Sequence, residues 1–411
     1  MDKTKTVIPE LLSPAGDMER FDRALYFGAD AIYLGGSAFS MRAAPANFGF
    51  DELKTACDKA HKQNVKVYLT CNTVPRNNEI DALPEYLLQW REAGVDAFII
   101  SDMGVLSLAK KYTPDVDIHI STQAGITNYA SANEWHNLGA TRIVTARELS
   151  MEDIAQLRAK TPSDLEIECF VHGAMCVSFS GRCLLSNYLV GRDSNRGDCA
   201  QPCRWQYALM EKTRPGEYLP IDEDESGTFI MNSKDMCMIE HIPDLVKAGI
   251  SSFKIEGRAK SAYYTSVVTN AYRQAIDGYL KNPSDTYKPE QWVIDEMYKM
   301  SSREYCTGFY YGHPTENAQI YYDGGYKRDW SVMAEVIDYK DGRVYARQRN
   351  RIFDGDLLEA LQRGTKPYDV TITDLRDESG EKIEKAPHPM MIFSFASDIE
   401  IPKDALLRKA L

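Results

Sequence analysis

Short apolar runs recur along the first two-thirds of the chain. Each is closed by a polar or glycine-bearing end and followed by a helical pattern. The runs are ELLSPAG (10–16), AIYLGG (31–36), VKVYLTCN (65–72), AFIISD (97–102), DIHISTQA (117–124), RIVTARE (142–148), EIECFVHG (166–173) and SSFKIEG (251–257). Amphipathic stretches such as MERFDRALYFGA and DELKTACDKAHKQN separate most of them. Near-continuous apolar strands alternating with helices predict a parallel sheet. Eight of them predict an α/β fold of the (β/α)8 TIM-barrel type rather than an open doubly wound sheet.

Such a barrel places its active site at the C-terminal ends of the strands. The polar residues read at those ends include Asn72, Gln123, Arg147, Glu168 and His172, and in the last run Lys254, Glu256 and Arg258. Each alone also reads as a turn, cap or core residue; as a set they point to a site. A long excursion, 174–250, separates runs seven and eight and includes the acidic turn IDEDESG. Long insertions in compact domains are usually functional or carry their own structure.

The pattern changes after SAYYTSVVTNAYRQAIDGYL. Residues 286–314 read as a linker helix region. Beyond them, alternating residues punctuated by Asp-Gly and Ser-Gly predict a small β-barrel or sandwich over 315–411. The expected organisation is a barrel domain, 1–285, with a cysteine-rich segment at 169–210, then the linker and the β-rich domain.

With 411 residues the chain suits two or three domains. Its 44% hydrophobic and 26% charged residues are those of a globular protein. No apolar run approaches the roughly 18 residues of a membrane span, and the start lacks a signal-peptide pattern. The expected compartment is the cytoplasm, where thiols stay reduced. A net charge of −12 weighs against a wholly basic nucleic-acid surface. Two arginine clusters stand out against it: Arg182, Arg192, Arg196 and Arg204, and then Arg343, Arg347, Arg349 and Arg351. Each reads as a solvated face or as a phosphate-contacting surface.

Four of the nine cysteines fall in one segment, spaced Cys176-x6-Cys183-x15-Cys199-x3-Cys203. A disulfide framework does not suit the compartment. A zinc site would use closer pairs, and on a straight helix Cys176 and Cys183 would lie about 10 Å apart along the axis. Four unevenly spaced thiolates favour a [4Fe–4S] cluster over zinc. Cys237 is a reserve ligand; Cys57, Cys71, Cys169 and Cys306 read as buried apolar residues.

The stretch ECFVHGAMCVSFSGRCLLS, 168–186, resembles the signature of the peptidase U32 family, E-x-F-x-x-G-[SA]-x-C-x4–6-G-x-C-x-x-S. PELLSPAGDMERFDRALYFGADAIYLGG and FKIEGRAKSAYY are similar to further family motifs, so the likeness spans about residues 9–280, and the tail resembles the family's C-terminal domain. Within the family, RCLLSNYLVGRDSNRGDCAQPCRWQY and GTFIMNSKDM are most similar to the enzymes that hydroxylate the wobble uridine of tRNA to 5-hydroxyuridine. The resemblance implies a [4Fe–4S] cluster on Cys176, Cys183, Cys199 and Cys203, with Cys237 outside the pattern. It also implies prephenate as the source of the hydroxyl group.

That chemistry needs a site for a small dicarboxylate and a place for a base of the tRNA anticodon region. Arg147, Lys254 and Arg258 are candidate carboxylate holders, with Asn72 and Gln123 beside them. Glu168, His172 and Glu256 are candidate proton carriers. His172 also reads as a core histidine, and Lys254 and Glu256 as a mutual pair. Arg182, Arg192, Arg196 and Arg204 are candidate RNA contacts. Phe179, Tyr188 and Trp205 read as stacking residues or as core. Two other functions compete: a U32-type peptidase, and an iron–sulfur accessory or scaffold protein. The chain has no H-E-x-x-H and no G-x-S-x-G. The nearest Cys–His combination, His172 with Cys176, falls within the cluster pattern.

Overall fold

The computed structural model describes residues 8–40, 47–176, 180–205, 209–210, 218–219, 233–312 and 327–411. Eight parallel strands form the barrel: β1 (Glu10–Pro14), β2 (Ala31–Gly35), β3 (Lys66–Cys71), β4 (Ala97–Ile100), β5 (Asp117–Ile120), β6 (Arg142–Val144), β7 (Glu166–Ala174) and β8 (Ser252–Ile255). Each pairs with the next, and β8 pairs with both β7 and β1, which closes the ring. All eight lie within the apolar runs read from the sequence, apart from a one-residue extension of β7 to Ala174.

Alternation along each strand sorts the side chains. Leu11, Ile32, Leu34, Val67, Leu69 and Phe98 face the helices and join the main core. Leu12, Ala31, Tyr33, Tyr68, Ala97 and Ile99 form a separate cluster. Side-chain caps start several helices: Asp17 accepts from Arg20 N at 2.9 Å, and Asp102 from Val105 N at 3.0 Å. Asp102, which closes the run AFIISD, is thus a helix cap.

The barrel interior also holds ions. Glu168 accepts from Lys254 Nζ at 2.7 Å and from Arg142 Nη1 at 3.0 Å. Arg142 also donates to Glu10 at 2.6 Å, and Tyr68 donates to Glu10 at 2.6 Å. Arg142 and Glu10 open their strands, so this network occupies the N-terminal half. His119 lies beside it, its ring centroid 4.6 Å from that of Tyr68. Burial, followed by the charges of Arg142 and Lys254, holds His119 well below the usual imidazole range.

The segment 286–314 supplies the helix Gln291–Glu296 and the strand Tyr305–Cys306. That strand pairs with Asp235–Cys237, which runs antiparallel to β7, so both extend the barrel sheet. The C-terminal region is a seven-stranded antiparallel sheet with its own core, including Val336, Val344, Phe393 and Phe395. Its first hairpin turns at Asp341-Gly342, both at positive φ, as the Asp-Gly signal predicts.

Arg408, fully buried, joins the two units. It ion-pairs with Glu296 of the barrel side at 2.6 Å, donates through Nε to Glu359 at 2.8 Å, and donates to Tyr263 at 3.2 Å. Lys299 reaches Glu359 at 2.8 Å, and Arg23 pairs with Glu335. Removing one partner of a buried ion pair strands the other charge. Arg408→Ala is therefore expected to cost about 3–5 kcal/mol, read as a fall in the urea midpoint of the transition that reports the C-terminal sheet.

Candidate active site

At the C-terminal end of the barrel lies a cavity of about 740 Å³. The cysteine segment forms one wall, the chain after β8 a second, and the start of the C-terminal sheet a third. Cys176, Cys183, Cys199 and Cys203 all line it. All nine cysteines are described, and none forms a disulfide. Burial raises the Cys57, Cys169 and Cys237 thiols to about 12 and pushes Cys71 and Cys306 up as well. Those five are poor ligands as they stand, and none of them lines the cavity.

The cysteine segment is fastened to the barrel mouth at defined points. Ser180 donates from its backbone to Glu148 at 2.9 Å and from its hydroxyl at 3.1 Å. Gly181 has φ +73°, and a Cβ there would lie 2.2 Å from the Gln123 carbonyl oxygen. Ser194 and Asn195 donate to the Cys183 carbonyl at 2.9 and 3.0 Å. Gln201 N donates to Cys199 Sγ at 3.3 Å. Among the described residues no three His, Cys, Asp or Glu side chains converge on a single ion. The four thiols all line the one cavity, and a set of four thiols is the donor chemistry that iron–sulfur groups use.

The predicted site residues divide into two groups. Gln123, Arg147 and Glu256 line the cavity. Arg147 lies over the Phe170 ring, 3.9 Å from its centroid, and reaches Glu256 only at 3.7 Å. Among the described residues no closer partner holds that guanidinium. The others lie elsewhere. Glu168 was read at a strand end, but β7 continues to Ala174, and Glu168 sits inside the barrel with Lys254. Lys254 therefore pairs with Glu168 and not with Glu256. Arg258 is buried on the β2–β3 side, donating to Ser40 and Thr70 at 2.7 Å each. Asn72 donates to Ser121 at 3.3 Å, away from the cavity lining.

His172 stands behind the cavity wall. Its ring contacts those of Tyr264, Tyr272 and Tyr305, with centroids 5.9, 5.6 and 5.4 Å away. Burial, with the Lys260 charge adding to it, pushes its pKa down to about 3. It stays neutral at pH 7 and does not line the cavity.

The cysteine-segment arginines also separate. Arg182 is exposed. Arg192 pairs with exposed Asp198 at 2.7 Å, and Arg196 is tied to Glu79 at 2.5 Å. The side chain of Arg204, all of Phe179 and the turn IDEDESG lie outside the described residues. Tyr188 is 86% exposed and Trp205 41%, so neither belongs to a core. Leu184, 69% exposed, adds to their apolar surface. In the second cluster, Arg343 pairs with Asp374 at 2.6 Å and Arg349 with Glu19 at 2.7 Å. These two serve internal contacts, whereas Arg351 is exposed.

Several lining residues were not singled out from the sequence: Lys260, Tyr263, Tyr264, Arg328 and Trp330. The first three lie within the stretch FKIEGRAKSAYY, so a signal was present. Nothing local marked Arg328 or Trp330.

The model of peptidase family U32 matches residues 16–320, and that of the U32 C-terminal domain matches 328–408. The chain belongs to peptidase family U32. Its relatives include tRNA hydroxylation protein P1 of Bacillus subtilis, 35% identical over 99% of this chain and 98% of that one. Another is tRNA hydroxylation protein P of Escherichia coli, 34% identical over 98% and 96%. A third U32 relative, 23S rRNA 5-hydroxycytidine C2501 synthase of Escherichia coli, is 36% identical over 72% of this chain and 43% of its own length.

Two outcomes test the geometry. Gly181→Ala should undock the cysteine segment from the mouth, seen as faster amide exchange across 180–205 with the β1–β6 amides unchanged. For His172, the unfolded chain takes up a proton near pH 6.5 and the folded chain only near 3. Its share of stability is present above 6.5 and is lost as pH falls from there towards 3. His172→Asn should flatten that part of the stability slope, measured as urea midpoints between pH 7 and 4.

Proposed function

We propose that this protein hydroxylates the wobble uridine of tRNA to 5-hydroxyuridine in the cytoplasm, with a [4Fe–4S] cluster held by Cys176, Cys183, Cys199 and Cys203. The observation that carries the reading is the gathering of those four thiols on one cavity at the C-terminal end of a barrel, with Arg147 and Lys260 on the same lining. The relatives support it by name: two are tRNA hydroxylation proteins over nearly their whole length, and a third makes 5-hydroxycytidine in rRNA.

With a thiolate on each iron the cluster would have no open position, so it would supply electron transfer at the cavity wall or hold the cysteine segment in place. The rest falls to the chain's own groups. Arg147 and Lys260 hold the carboxylates of the hydroxyl donor, for which the family resemblance suggests prephenate. Lys260 takes the place expected of Lys254 and Arg258, because it lines the cavity. Gln123 adds a neutral hydrogen-bonding group. Glu256, beside Arg147, moves the proton in this reading; Glu168 is taken up by ion pairs with Lys254 and Arg142 inside the barrel, and His172 is too weak a base at a pKa of about 3. Arg182 and Arg192, with exposed Tyr188 and Trp205, form the outer surface on which the anticodon arm rests.

Peptide hydrolysis is the weaker reading. Among the described residues lining the cavity there is no histidine to activate a cysteine.

Protein purified without oxygen should carry about four irons and four sulfides per chain, lost in Cys203→Ala. Cellular tRNA should lose its 5-hydroxyuridine-derived nucleosides when Cys176 is changed to Ala. Colourless protein with no iron would sink the cluster, and unchanged nucleosides would sink the hydroxylation. Arg147→Ala should leave the iron content intact while raising the KM for prephenate about 10-fold or more, since hydrogen bonds to charged groups contribute about 1.5–3 kcal/mol.

A further inference from the structure

The cavity lining combines two chemistries: the four thiols with Arg147, Arg192 and Lys260, and the largely apolar set Tyr263, Tyr264, Trp330 and Val332. Lys260 Nζ meets that set, 5.3 Å from the Tyr264 ring centroid. Trp330 opens the first long strand of the C-terminal sheet, Trp330–Lys340, opposite Ala410. Its indole is fixed by the ions that join the two units. Lys299 Nζ lies 4.7 Å and Arg408 Cζ 5.2 Å from the ring. Both cations are anchored, Arg408 on Glu296 and Lys299 on Glu359. Tyr263, its neighbour on the wall, accepts from Arg408 and donates to the Lys299 carbonyl at 2.7 Å. Little side-chain freedom is left to lose when something planar lies against this wall.

We propose that Trp330 is the stacking surface for a single nucleobase swung out of an RNA strand, so that the C-terminal domain takes a direct part in gripping the target. The proposal rests on the RNA-hydroxylation reading above and names the partner of that same cavity. Three features favour a nucleotide over other planar ligands. Among the described lining residues four are cationic (Arg147, Arg192, Lys260 and Arg328) and one acidic, Glu256, in a chain whose net charge is −12. Arg328, two residues before Trp330, is exposed at the edge of the same wall, where a phosphate next to the extruded base would pass. The volume of about 740 Å³ accommodates a base together with a small dianion. Enzymes that act on an atom of a base take that base out of its stack, and a rigid aromatic face is what receives it.

The test measures binding of two anticodon stem-loops to the full-length protein. One has uridine at the wobble position and the other an abasic site there. Trp330→Leu keeps an apolar side chain and removes the π face; Trp330→Phe keeps both. Trp330→Leu should weaken the uridine stem-loop about 10-fold or more, as base–aromatic stacking predicts, and leave the abasic stem-loop unchanged. Trp330→Phe should bind both within about threefold of the parent. Equal weakening of both stem-loops by Trp330→Leu, or of neither, would overturn the proposal. If the parent protein binds no RNA, the hydroxylation reading falls and this inference with it; if it binds both stem-loops equally well, only this inference falls.

Discussion

The parallel pairing of β7 with β8 is the constraint from which the site follows. The two strands are adjacent in the ring although the longest excursion of the barrel separates them in sequence. Glu256 N donates to the His172 carbonyl at 2.8 Å, continuing the pairing past the end of β8. Gly173, at φ +109°, passes so close that a Cβ there would lie 2.4 Å from the Glu256 carbonyl oxygen. Both ends of the excursion therefore leave from one point on the rim. The thiols at the start of the excursion line the mouth together with Glu256 and Lys260. Right-handed barrel geometry thus does for the cysteines what no local spacing rule could do.

Charge is partitioned along the barrel axis. In the N-terminal half Glu10, Arg142, Glu168 and Lys254 satisfy one another at 2.6–3.0 Å and are withheld from chemistry. Such networks carry a desolvation cost and act on geometry more than on net stability. At the rim Arg147 reaches Glu256 only at 3.7 Å. A charge held at that length can be recruited by an incoming anion. The same residue types in the same strands are thus structural below and available above.

Strand number and order were legible because each barrel strand is an apolar run bounded by polar punctuation. Depth along the strand was not. EIECFVHGA has no internal break, so Glu168 read as terminal when six residues of β7 still follow it. The register shift between Lys254 and Ile255 likewise separates Lys254 from Glu256, which simple alternation would place on one face. The cysteine spacing pointed to one shared site, because four thiols in a short segment have few other uses. The roles of the arginines depended on partners far away in sequence, such as Glu79 for Arg196 and Glu19 for Arg349. Trp330 was invisible for the same reason: its place on the wall is set by Arg408, near the far end of the chain.

Closure of the ring joins Ser252 to Glu10 across 242 residues. A chain made from its N-terminus therefore presents all four rim thiols before the strand that completes the barrel exists. In that interval they stand on a barrel still open by one strand, with neither Glu256 nor the C-terminal sheet beside them. Thiols in that state are open to oxidation and mispairing. Non-local closures of this span are also slow. The yield of intact protein should then depend less on its final stability than on how reducing its surroundings are while it is being made.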